Sequence, residues 1–228
     1  MKLLCIDTAT FFESVALLDG DRIVAEHRVE RHRGHGPGIL DDVDRLLSTC
    51  GWTLHDVDGF ISGLGPGSFT GLRISLATLK GFALAHDKPI YGARTTQVVR
   101  AGVGDDAVAI LDARRGQVYV EGGDLTAPVC CDPKAVSSLL GDKAYQLVGD
   151  GAVLYRETLT SSMPRARVVD DSDLHHPRAA LLVGLVDLET PQALATLEPI
   201  YVRKSDAEIN YPDGFPDAVA GLPKQGNR

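Results

Sequence analysis

The stretch GLGPGSFTGLRISLATLKGFALAHDKPI, residues 63–90, places four glycines in nine positions just ahead of a nearly uncharged run. Such a turn could cradle a phosphate, bind a dinucleotide or hold a nucleophile, and each use demands its own spacing. A phosphate cradle of the G-x-x-x-x-G-K-[ST] kind needs a lysine to reach the outer phosphates, yet Thr70 and Leu72 follow Gly65 and Gly67 at five residues, and the first lysine is Lys80. The dinucleotide pattern G-x-G-x-x-G fails because Ser68 or Thr70 stands in its last place. A G-x-S-x-G elbow around Ser68 is broken by Pro66. What remains is backbone geometry: Gly63, Gly65 and Gly67 open dihedrals closed to other residues, and Ser68 or Thr70 can cap the helix that follows. An anion could sit on that helix start, or the loop could serve the helix alone. Asp112-Ala113-Arg114-Arg115-Gly116 offers a second candidate: Arg114 and Arg115 could hold a phosphate or a partner's carboxylate, or could simply close a hairpin.

The helix behind the loop carries an unusual distribution of side chains. Leu72, Leu76, Leu79 and Ala83 form one apolar face, and Ile74, Ala77, Gly81, Leu84 and Ala85 continue it around much of the cylinder, with only Arg73, Lys80 and His86 charged or titratable. Ala77, Gly81 and Ala85 recur every fourth residue, a narrow stripe against which another helix could pack closely. A neighbour is offered by Ile39, Val43, Leu46, Leu47 and Cys50, which recur at helical spacing before Gly51. Two such helices paired with two from another polypeptide would bury at least ~800 Å² per partner. The rival reading is a helix buried inside a larger monomer.

Around these residues the pattern predicts strands at Leu3–Ile6, Ser14–Leu18 and Arg22–Val29, a helix from Ile39, a buried strand at Gly59–Ser62, the glycine loop with its helix, and a strand at Pro89–Tyr91. A weaker echo follows, with strands at Val108–Leu111 and Val118–Val120, a helix at Pro133–Leu140, a strand at Tyr145–Val148, and helices at Ala152–Leu159 and Pro177–Leu188. The second half reads as a trimmed copy of the first. Residues 1–100 and 101–208 are expected as two lobes, and 209–228 as a loose tail rich in proline and glycine.

The chain has 228 residues and a formal charge of −8, which argues against a broad nucleic-acid face. Arg28, Arg31, His32, Arg33 and His35 form one local basic cluster, readable as a solvated loop or as a tRNA contact. The longest strongly apolar run, Ala179–Val186, is far too short to span a bilayer, and the N-terminus lacks a secretory pattern, so a cytoplasmic protein with no membrane association is expected. Cys5, Cys50, Cys130 and Cys131 have no metal or disulfide spacing and read as reduced thiols, Cys5 being buried.

Taken together, the glycine-loop block, Asp7-Thr8 after the first strand, LDARRGQVYV at 111–120 and EPIYVRKSDAE at 198–208 resemble the TsaB (YeaZ) family, over Lys2 to about Glu208. The resemblance implies an α/β architecture of the actin-like ATPase (ASKHA, ribonuclease H-like) fold with two related lobes. It implies an accessory protein for threonylcarbamoyladenosine at position 37 of ANN-decoding tRNAs. In that family chemistry belongs to a TsaD-like catalytic subunit, which docks on two helices of the first lobe, and a TsaE-like ATPase joins them. The partner interface then falls on Ile39, Val43, Leu46, Leu47, Arg73, Ala77, Gly81, Leu84 and Ala85, with a homodimer as the alternative when the chain is alone. In kinases of this fold the aspartate ending the first strand handles metal-bound phosphate, which makes Asp7 and Thr8 candidate anion contacts beside Gly65, Gly67, Ser68, Arg114 and Arg115. Asp7-Thr8-Ala9-Thr10 lacks the glycine that would let amides close on a phosphate. The catalytic relative holds its metal with H-x-x-x-H, a spacing that no pair among the seven histidines has. The expectation is therefore a scaffold with no catalytic residue, no metal and no cofactor of its own, meeting tRNA through the complex. Two rivals are a peptidase-like hydrolase and a nucleotide-binding regulator of the same fold.

Overall fold

The structure, a computed structural model, describes residues 1–31 and 38–203. The expected loose tail and His32, Arg33 and His35 of the basic cluster lie outside these residues. The chain opens with an antiparallel meander, β1 (Lys2–Asp7), β2 (Phe12–Asp19) and β3 (Arg22–Glu30). It continues through α1 (Ile39–Thr49), β4 (Gly59–Gly63), α2 (Phe69–His86), β5 (Ile90–Ala93) and α3 (Thr95–Ala101). The five strands form one sheet in the order β3-β2-β1-β4-β5, with β4 and β5 parallel to β1.

The period of two along β1 decides what covers this sheet. Leu4 and Ile6 point to the face packed by Val43, Leu46 and Leu47 of α1 and by Leu76, Leu79 and Ala83 of α2. Leu3 and Cys5 point the other way, onto Ala179, Ala180 and Leu182. A sheet buried on both faces needs apolar residues at every position, which is why β1 reads as an unbroken apolar run.

The second half repeats the plan with β6 (Ala107–Arg114), β7 (Gln117–Gly122), β8 (Leu125–Cys131), α4 (Val136–Leu140), β9 (Gln146–Val148), α5 (Asp150–Leu154), α6 (Arg156–Ser162) and β10 (Arg167–Val168). Its sheet order, β8-β7-β6-β9-β10, mirrors the first, with two antiparallel strands on one side of the lead strand and two parallel strands on the other. The expected echo is therefore present, with shorter helices. Between the sheets α3 acts as a wedge: Val98 packs into the core of the first and Val99 into that of the second.

Three expectations need correction. Pro177–Leu188 is not an α-helix; only Ala179–Leu185 is helical, as a 3₁₀ segment, because Gly184 and the β-branched Val183 and Val186 weaken the α form while Ala179, Ala180 and Leu182 must lie on the sheet. That placement also returns this part of the expected second lobe to the first, where the Ala179 amide donates to Ser14 Oγ at 2.8 Å and Arg178 pairs with Glu26 at 2.6 Å. The Ala152–Leu159 helix is broken at Tyr155, whose φ of −109° and ψ of 23° end α5 and begin α6. All four cysteines are free, and burial raises the thiol pKa of Cys5 strongly.

Candidate functional site

Two features of this frame could serve function, the outer face of α2 and the cleft between the lobes. The glycine loop builds both. Gly65 takes φ +88°, and at Gly67 a Cβ would run into the backbone of Ala9, so the loop lies hard against the β1–β2 turn. The Ser68 amide donates to the Ala9 carbonyl at 2.7 Å, and Ser68 Oγ accepts from the Gly71 amide at 3.2 Å, capping α2.

Asp7 supports this loop from beneath. Its carboxylate is fully buried and accepts from the Ala9 amide at 2.9 Å and from Thr95 Oγ1 at 2.7 Å, while Thr95 Oγ1 accepts from the Gly65 amide at 3.1 Å. Thr8 is likewise buried and donates to the Gly71 carbonyl at 2.8 Å. Neither residue, nor Gly65, lines the cleft. Of the anion contacts expected from sequence, Gly67, Ser68 and Arg114 do line it, whereas Arg115 is exposed outside that lining.

The cleft is a cavity of about 340 Å³. Its first wall is the β1–β2 turn and the first turn of α2, with Thr10, Phe69 and Thr70; its second is Asp112, Ala113, Arg114, Tyr119 and Asp150. Ile200, Tyr201 and Arg203 cross between the walls. The Ile200 amide donates to the Leu64 carbonyl at 2.8 Å, and Arg203 Nη1 donates to the Ala113 carbonyl at 2.6 Å, so this strap holds both lobes. Asp150 Oδ1 accepts from the Asp112 and Gly151 amides, each at 2.9 Å. Burial, with the neighbouring Asp112 charge adding to it, pushes the Asp150 carboxyl up to about 6. Tyr201, Arg203, Tyr119 and Asp150 were not candidates from sequence; the one signal for Asp150 is an acid at or just beyond the end of a short apolar run, as Asp7 and Asp112 are.

The interface residues expected from sequence separate into two groups. Ile39, Val43, Leu46 and Leu47 are at most 9% exposed, held in this chain's own core, so they do not present a surface to another polypeptide. Arg73, Ala77, Gly81, Leu84 and Ala85 are all exposed on the side of α2 away from its sheet, Leu84 at 76%. The small-residue stripe does not receive α1: a Cβ on Gly81 would meet nothing within 4 Å. The apolar residues of α1 pack on the sheet instead, over β2 and β3, in one core with Val15 and Leu17. Among the described residues no three His, Cys, Asp or Glu side chains gather as a metal site, and no helix is long and apolar enough to cross a membrane.

Two related α/β lobes about a cleft, each sheet built as a meander followed by parallel strands, define the actin-like ATPase class of fold. The ethanolamine utilization protein EutJ from Carboxydothermus hydrogenoformans shares that fold, at TM-score 0.50 and 12% identity over 81% of this chain and 90% of that one. YeaZ from Pseudomonas aeruginosa superposes at TM-score 0.70 with 26% identity, over 88% of this chain and 99% of that one. In sequence, the tRNA threonylcarbamoyladenosine biosynthesis protein TsaB of Haemophilus influenzae is 29% identical over 89% of this chain and 94% of its own length. An uncharacterized protein of Mycobacterium tuberculosis is 32% identical over 90% and 93%. The family model described as TsaD, tRNA N6-adenosine threonylcarbamoyltransferase, matches residues 27–127. The chain belongs to the TsaB (YeaZ) family.

Proposed function

We propose that this protein is the non-catalytic scaffold subunit of the bacterial assembly that makes N6-threonylcarbamoyladenosine at position 37 of ANN-decoding tRNAs. A TsaD-like catalytic subunit docks on the outer face of α2, and a TsaE-like ATPase joins the pair; without them, two copies can pair through the same face. The observation that carries this reading is the uncovered apolar flank of Ala77, Gly81, Leu84 and Ala85 on a helix whose opposite side is fully used by the sheet. An apolar strip left open on a core helix is a surface suited to a second polypeptide.

The chemistry of the cleft supports an accessory role. Asp7, the aspartate that would handle metal-bound phosphate in a kinase of this fold, spends its carboxylate on Ala9 and Thr95 and does not line the cavity. One neighbouring structure from Pseudomonas aeruginosa is described as having similarity to peptidase YEAZ. Here Ser68 Oγ is committed to the helix cap, and among the described residues no histidine lines the cleft beside it to act as the base of a serine nucleophile.

Gly81→Leu tests the docking surface. Open space around Gly81 lets the variant fold, so thermal unfolding stays at or above the parent value while co-elution with the catalytic subunit is lost. Normal co-elution would move the interface elsewhere. A second reading, a nucleotide-binding regulator, is favoured by the cavity alone; micromolar ATP affinity of the isolated chain in calorimetry would select it.

A further inference from the structure

Among the described residues, the exposed aromatic side chains are gathered at one place. Among the described residues, Phe11, Phe69 and Tyr201 are the aromatic members of the exposed large apolar set, at 37%, 38% and 45% exposure, and all three stand at the mouth of the interlobe cleft. Phe69 and Tyr201 themselves line it, and Phe11 directly follows the lining residue Thr10. Each ring is met by an arginine. The Arg114 guanidinium lies 3.7 Å from the Phe11 ring centre and that of Arg73 lies 4.0 Å from Phe69. Arg73 Nε also donates to Tyr201 Oη at 3.0 Å, and the Phe69 and Tyr201 rings meet at a tilt of 32° with centroids 5.0 Å apart. In a chain of net charge −8, this concentrates cationic planes and π faces on the two lips of a single opening.

We propose that this rim binds an unpaired stretch of RNA, one base on the Phe11–Arg114 lip, another on the Phe69–Arg73–Tyr201 lip, and the ribose between them over Asp112 and Asp150. Aromatic and guanidinium planes stack any nucleobase, and arginine charge meets the phosphodiester. Carboxylate oxygens accept from ribose hydroxyls, which favours RNA over DNA. A free nucleotide carries the same base, ribose and phosphate, but it cannot occupy platforms on two separate lips. The choice of RNA rests on the tRNA-modification reading above, whereas the rim itself does not use the docking face beyond Arg73.

The test is fluorescence anisotropy of the full chain with a labelled, unstructured RNA of about ten nucleotides, near 150 mM salt, with a DNA strand of the same sequence and adenosine monophosphate as competitors. Phe11→Ala and Arg114→Gln are each expected to weaken RNA binding roughly tenfold, and Arg114→Lys, which keeps charge but loses the plane, nearly as much. Both positions are exposed and off α2, so co-elution with the catalytic subunit should be unchanged; should Phe11→Ala fail to fold, Arg114→Gln carries the test. No RNA binding by the parent protein, or unaltered binding by both variants, overturns the proposal. Competition by the monophosphate as strong as by the RNA strand replaces the two-lip site with a single-nucleotide one, and equal affinity for DNA removes the ribose contact. Loss of RNA binding with docking intact leaves the scaffold reading standing, and the reverse result leaves the rim standing.

Discussion

At the scale of single residues, the acid of the first strand and the acid that opens α5 have opposite fates. Asp7 is buried with its oxygens partnered, and Thr95 is the hinge of that arrangement, donating to Asp7 and accepting from Gly65. Thr95→Val should cost about 1–3 kcal/mol, because it strands a carboxylate oxygen and an amide in the core, and Thr95→Ser should restore most of it in denaturant unfolding. Asp150 is set into the cleft wall with its carboxyl raised from 3.8 to about 6. The folded protein therefore holds an extra proton between pH ~4 and ~6, and this group's contribution to stability falls as pH rises through that window. Asp150→Asn keeps the acceptor for both amides without the charge, so its advantage over the parent should be small near pH 4 and grow to about 2–3 kcal/mol near pH 7. An advantage independent of pH would refute the assignment. His176, stacked on Phe12 and driven down to about 4 by burial, has the opposite slope: the unfolded chain binds its proton first, and stability is lost as pH falls from ~6.5 to ~4. The parent's pH profile mixes both slopes, which is why the Asn variant must be read as a difference. Of this residue-level detail, sequence revealed that Asp7, Ser68 and Arg114 sit at element ends. It could not reveal that Asp7 turns inward, since that depends on Thr95, 88 residues away along the chain.

At the scale of elements, α2 has one face that holds the fold and one that does not. Leu79 is fully buried against the first sheet, and Leu79→Ala should cost about 2–5 kcal/mol in equilibrium unfolding. Gly81 lies two residues further on in open space, and Gly81→Ala should raise stability by roughly 0.5–1 kcal/mol through helix propensity alone. If the alanine instead destabilised the chain, something would already be packed on that face. Periodicity made the long α2 and the opening meander legible. It placed no element over α3, because the β-branched Thr95, Thr96, Val98 and Val99 are poor helix formers and burial between two sheets overrides that local preference. It failed again over 177–188, where the apolar run lies along a sheet and the sheet, not the backbone's own preference, sets its form.

At the scale of the whole molecule, the lobes are joined by a charge pair whose acid is buried and whose arginine is half-buried. Arg94, just after β5, makes a two-pronged contact with Glu121 of β7, with its Nη2 at 2.7 Å from Oε1 and its Nε at 2.9 Å. Thr96 Oγ1 donates to the same carboxylate, which is 1% exposed. Arg94→Ala should cost about 3–5 kcal/mol, since it leaves that charge buried beside a single hydroxyl, and should split chemical unfolding into two transitions as the lobes lose their common tie. A single transition with unchanged midpoint would show that α3 packing and the strap at 200–203 couple them without it. The returning chain adds a constraint of another kind. Residues 179–188 seal the far face of the first sheet, and Ile200 bonds back to Leu64, so the half made first is finished by the half made last. During synthesis the opening meander keeps an oily flank bare until residues 179–188 have been added, so a fragment that stops short of them should be prone to precipitate when expressed by itself.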